Sequence, residues 1–98
     1  MKREQVLMAL RNNRDLKHRF SVKNLYLFGS VARGESQEGS DVDMLVEYEP
    51  DTRVGLFQFL RLRRELSTIL GCEVDLATPE SLHKELKDDI LKEAVHAA

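Results

Sequence analysis

Gly29-Ser30 is followed, ten residues later, by Asp41-Val42-Asp43, a spacing that sets a phosphate cradle beside a pair of carboxylates. On an extended strand, residues two apart project from the same face, so Asp41 and Asp43 stand side by side. Two such anions repel one another and contribute nothing to folding alone. A divalent cation removes the conflict, and a hard ion such as Mg²⁺ favours carboxylate oxygen. Gly29 lets the main chain approach a ligand closely. Ser30 adds a hydroxyl and a main-chain N–H where a helical turn begins, a position that suits an anion. Phosphate on one side and metal on the other is the apparatus of phosphoryl or nucleotidyl transfer.

These groups need strands and turns to hold them. Leu25-Tyr26-Leu27-Phe28 is apolar and stops at Gly29, so residues 22–28 read as a strand that ends in a turn. Residues 43–48 read as a second strand, closed by Pro50. Between them, residues 30–33 suit one helical turn and residues 34–40 a polar loop containing Gly and Ser. Residues 3–19 are helical in pattern, with Val6, Leu7, Leu10 and Leu16 as the apolar positions. Residues 55–70 form the best helix, with Leu56, Phe59, Leu60, Leu62, Leu66, Ile69 and Leu70 at helical spacings and Gly71 as a stop. Residues 73–77 give a third strand. Thr78 and Pro79 then suit the start of a last helix that reaches about Val95 and buries Leu82, Leu86, Ile90 and Ala94. The order is α-β-α-β-α-β-α, an α/β (α+β) fold whose three strands share one small mixed sheet in a single domain over residues 1–98. Asp75 lies between Val74 and Leu76 on the third strand and so points away from its apolar neighbours. If that strand lies beside the second, Asp75 approaches Asp41 and Asp43; otherwise it is a solvent-facing residue of an edge strand.

Gly29-Ser30-Val31-Ala32-Arg33-Gly34-Glu35, followed by Gly39-Ser40-Asp41-Val42-Asp43-Met44-Leu45-Val46, resembles the signature of the DNA polymerase β-like nucleotidyltransferases. Within them it is most similar to the minimal nucleotidyltransferases, small proteins often encoded beside a HEPN-domain partner. The resemblance implies a polymerase β-like core, with Asp41, Asp43 and Asp75 as the catalytic and metal-binding carboxylates. Three carboxylates can hold two Mg²⁺ ions about 3.5–4 Å apart, one on the nucleophile and one on the triphosphate of ATP. It further implies transfer of AMP to a tyrosine of a HEPN ribonuclease toxin, with this protein as the antitoxin. Gly29, Ser30, Arg33 and Ser40 are the candidate nucleotide-binding residues. Arg33 suits a contact to the triphosphate or to charge developing on pyrophosphate, but a solvated loop arginine fits the sequence nearly as well. Ser40 either touches phosphate or closes its own turn.

The remaining features bound the function. With 42% hydrophobic and 33% charged residues and a formal charge of −2, the chain suits a globular protein without a global basic field for nucleic acid. It shows no signal-peptide pattern and no run of about 18 apolar residues, so a cytoplasmic protein is expected. The single Cys72 cannot form an internal disulfide and suits a half-buried strand edge better than a reactive thiol. Arg61, Arg63 and Arg64 read as a solvated helix face or a partner surface. His18, His83 and His96 lack metal-ligand spacing, and the Gly-Lys-Ser/Thr ending of a P-loop is missing. A single domain also leaves no separate module for gripping a small acceptor, so a protein acceptor would bring its own surface. The competing function is a non-catalytic module that masks the toxin sterically. Three clustered carboxylates have no use in masking alone.

Overall fold

The computed structural model describes residues 2–35 and 41–98. Val22–Phe28 (β1) and Val42–Tyr48 (β2) pair antiparallel, which sets Phe28 opposite Asp43. Val74–Ala77 (β3) runs parallel to β2, with Asp43 level with Asp75. Between β2 and β3 the chain crosses over through Leu56–Leu70 (α4), as a parallel connection requires. A short strand, Val95–His96 (β4), adds to the free edge of β1 and completes a mixed sheet in the order β3-β2-β1-β4.

The sheet presents two unlike faces. Val42, Met44 and Val46 of β2 and Leu25 and Leu27 of β1 are buried and pack with Val6, Leu10 and Leu16 from the N-terminal helices and Leu62, Leu66 and Leu70 of α4. The last three recur every four residues, the spacing that gives a helix one buried stripe. Leu56 and Phe57, at the opening turn of α4, are instead 69% and 82% exposed. On the other face, strand alternation and register bring together Asn24, Tyr26 and Phe28 of β1, Asp43 and Glu47 of β2, and Asp75 of β3.

Three expectations from the sequence need correction. The N-terminal helix is two, Arg3–Arg11 (α1) and Asp15–Arg19 (α2). The break lies at Asn13, whose Nδ2 donates to the Ala9 carbonyl at 2.7 Å and takes an acceptor from the last turn of α1. The last helix does not begin at Thr78-Pro79. A single 3₁₀ turn, Pro79–Ser81, forms there, closed by the Ser81 hydroxyl donating to the Thr78 carbonyl at 2.8 Å. Leu82 is then extended, and the helix proper is Lys84–Glu93 (α5). That helix buries no residue fully, and Leu86 is 56% exposed. It also stops before Val95, because pairing Val95 with Leu27 satisfies an otherwise open strand edge. Among the described residues the sheet consequently has four strands, not three.

Gly71 ends α4 as expected, with φ +70° and its N–H donating to the Ser67 carbonyl at 2.8 Å. Nothing lies within 4 Å of a Cβ built there, so Gly71→Ala carries only the left-handed backbone penalty. We expect a loss of about 1–2 kcal/mol, read as a lower melting temperature with no change in nucleotide binding.

Candidate active site

β1 ends where Gly29–Ala32 (α3) begins, and this single turn hangs over the start of β2. Gly29 has φ +74°, a conformation that disfavours any side chain. Its Cα also faces Asp43, so a Cβ built on Gly29 would run into the Asp43 carboxylate, with Asp43 Cγ 3.1 Å away. From sequence, the glycine is there to let phosphate approach. In the fold its first role is to leave room for Asp43.

Asp43 is partly buried, whereas Asp41 and Asp75 are exposed. The Asp43 carboxyl is held above the ordinary carboxylate range, chiefly because burial penalises its charge. The negative charges of Asp75 and then Asp41 push it the same way, and Arg33 opposes them. A folded-state pKa above the unfolded value means that the fold prefers Asp43 protonated. The contribution of Asp43 to stability is therefore fully present below its unfolded pKa and is lost as pH rises through the folded one. At neutral pH, without a cation, Asp43 opposes folding. Among the described residues, no three His, Cys, Asp or Glu side chains are gathered into a set that could hold an ion unaided.

Arg33 follows the turn, its N–H donating to the Gly29 carbonyl at 3.1 Å. Its guanidinium is exposed but not free. Nε donates to Glu35 and Nη1 to Glu93 of α5, each at 3.1 Å. Both carboxylates raise the pKa of Arg33, mainly through these hydrogen bonds. Arg3 of α1 supports the same turn by donating to the Ala32 carbonyl at 3.2 Å.

The fold thus sets Gly29 against Asp43 and Asp75 level with it, and puts the charges of Asp41 and Arg33 within reach of Asp43, while Ser30 follows Gly29 in the turn. Ser40 lies outside the described residues. Cys72 is half-buried just before β3, and burial pushes its thiol up, which favours the unreactive protonated form. Arg61, Arg63 and Arg64 lie exposed on α4. His96 packs on the sheet face of Asn24 and Tyr26, its Nε2 2.9 Å from Asn24 Oδ1 and its ring edge-on to Tyr26. Glu93 was not legible in the sequence, since no local pattern marks a helix-end glutamate as the partner of an arginine sixty residues earlier.

The chain is similar to known proteins over most of its length. A family model described as a nucleotidyltransferase domain matches residues 11–96. Over 93 residues the chain is 38% identical to protein adenylyltransferase MntA of Thermococcus cleftensis, covering 95% of this chain and 90% of that protein. It is similar to the solved structure of a candidate minimal nucleotidyltransferase, at 34% identity and a TM-score of 0.81, covering 97% of this chain and 95% of that one. It also shares its fold, at 18% identity and a TM-score of 0.66, with a chain of the Shewanella oneidensis complex between an MNT antitoxin and a tri-AMPylated HEPN toxin. That match covers 95% of this chain and 71% of the other. This chain belongs to the nucleotidyltransferase family and, within it, to the minimal nucleotidyltransferases similar to protein adenylyltransferases.

Proposed function

We propose that this protein transfers AMP from Mg²⁺-bound ATP to a protein hydroxyl, that of a tyrosine on a HEPN-domain toxin, and so acts in the cytoplasm as its antitoxin. The observation that carries the reading is Asp43, set between the turn at Gly29 and the level carboxylate of Asp75. Its charge is opposed by burial and by two neighbouring carboxylates, an electrostatic defect that a cation relieves. Asp41, Asp43 and Asp75 are the residues that would hold Mg²⁺. Mg²⁺ is usually bound by one or two carboxylates plus substrate phosphate oxygens, so the nucleotide would supply part of its shell. When bound, Mg²⁺ neutralises phosphate charge and polarises the phosphorus centre.

The protein groups divide the remaining work. The Ser30 hydroxyl and main-chain N–H donate to phosphate oxygens, and Arg33 meets the triphosphate and then the departing pyrophosphate. Asp75, exposed on the edge strand, accepts the proton of the incoming tyrosine as its oxygen attacks the α-phosphorus. The partner must present that oxygen in line with the leaving group.

With ATP and Mg²⁺ alone the protein should give little product. Added HEPN partner should gain the mass of one or more AMP groups. Asp75→Asn should lower this transfer by at least about 10²-fold, the usual size of a general-base effect, while ATP affinity changes less than about threefold. Equal losses of affinity and rate would place Asp75 in nucleotide binding instead.

A further inference from the structure

We propose that Glu93 is a positioning residue for nucleotide binding, acting through Arg33, and that the C-terminal helix and strand are thereby part of the nucleotide site. The inference rests on the assignment of Arg33 to the triphosphate of ATP. An arginine has five N–H donors. In Arg33, Nε is taken by Glu35 and one donor on Nη1 by Glu93, each at 3.1 Å. The others, including both on Nη2, have no partner among the described residues. The guanidinium is held at Nε and at Nη1, and Nη2 keeps both of its donors for phosphate oxygens.

The two carboxylates do different things. Glu35 is two residues from Arg33 and moves with it. Glu93 lies sixty residues away and ties Arg33 to the sheet. It is the last residue of α5, and the chain beyond it is fixed by Val95 pairing with Leu27 and His96 pairing with Tyr26 on β1. Main-chain bonds continue that clamp, with Leu25 N–H donating to the Ala98 carbonyl and Ala97 N–H to the Leu25 carbonyl, both at 2.8 Å. β1 is the strand that leads into Gly29, so the Glu93 carboxylate and the Gly29 turn are held in one frame. The turn itself is braced from the other side by Arg3 on the Ala32 carbonyl.

The pair is half exposed, at 43% for Arg33 and 47% for Glu93, so it contributes little to stability. Its effect lies in orientation. Fixing a rotamer-rich side chain before the ligand arrives spares that ordering at the moment of binding. The sign of the expected change is diagnostic. Removing a carboxylate beside the site favours an anionic ligand on charge alone, so weaker binding after its removal is not a charge effect.

The test is Glu93→Gln, titrated with Mg²⁺ and a non-hydrolysable ATP analogue. We expect the dissociation constant to rise about three- to tenfold, with the melting temperature unchanged. In parallel, the Arg33 Nη1 protons, which donate to Glu93, should lose their protection from solvent exchange while the Nε–H bonded to Glu35 keeps its own, a readout that needs no ligand. In an Arg33→Ala background, Glu93→Gln should have no further effect on affinity. Unchanged or tighter binding by Glu93→Gln, or the same loss with and without Arg33, overturns the positioning role. If the parent binds the analogue and Glu93→Gln binds it equally, only this inference fails. A parent that binds no nucleotide overturns the proposed function as well.

Discussion

Asp43→Asn should abolish AMP transfer and, in the absence of Mg²⁺, give a more stable protein. Asparagine keeps the shape of the side chain but loses the anion that the surroundings oppose. Burial, Asp75 and Asp41 all act against the Asp43 charge, and Arg33 favours it. The stabilisation should be greatest at neutral pH and vanish once pH falls below the unfolded pKa of Asp43, where the parent is protonated in both states. Adding Mg²⁺ with ATP should reverse the order, since the parent gains ligand stabilisation and the variant gains much less. Transfer should fall by about 10³-fold or more, roughly 4 kcal/mol of transition-state stabilisation. Melting curves of both proteins at two pH values, with and without Mg²⁺-ATP, check the stability half of this expectation. Equal ligand-induced stabilisation of parent and variant would remove Asp43 from the metal site.

Gly29→Ala should be the most damaging Gly→Ala change among the described residues. The methyl group meets the Asp43 carboxylate and must also occupy φ +74°. The backbone alone costs about 1–2 kcal/mol, and displacing Asp43 adds to it. For a domain of this size each kcal/mol corresponds to about 4–8 °C in melting temperature, so a fall of about 10 °C is expected together with loss of transfer. Gly29→Ala combined with Asp43→Ala should recover part of the stability, because the side-chain collision is gone while the backbone strain remains. A Gly29→Ala protein with unchanged melting and unchanged activity would contradict the placement of Asp43 beneath the turn. Gly71→Ala has the same backbone strain without a collision, so the difference between the two variants measures the Asp43 contact.

Much of this site is local in sequence, which is why it could be read there. Gly29, Ser30, Asp41 and Asp43 fall within one strand–turn–strand unit, and Leu25 to Phe28 announce the strand that delivers them. Asp75 is legible because alternation alone separates it from Val74 and Leu76. Its alignment with Asp43 then follows from a parallel crossover through α4. What sequence could not supply is non-local. The apolar spacing of residues 82–94 suggested a buried helix, yet pairing of Val95 and His96 with β1 overrode it and cut that helix short. The same pairing fixes Glu93 opposite Arg33, a contact that no periodicity encodes. Asn13 misled in a different way, since its side chain competes with the backbone and splits a continuous helical pattern in two. Gly29 reads in sequence as room for a phosphate, whereas the group that a Cβ there would meet in the fold is Asp43, a residue of the neighbouring strand.

The most direct test of the central claim sets the parent against an Asp41→Asn/Asp43→Asn double variant, each mixed with the HEPN partner, ATP and Mg²⁺. Partner ribonuclease activity and the intact mass of both proteins are followed together. Catalysis predicts that the parent silences the partner as its mass rises by one or more AMP groups, and that the folded double variant does neither. Equal silencing by both proteins with no mass change on either would contradict AMP transfer and leave masking as the mechanism.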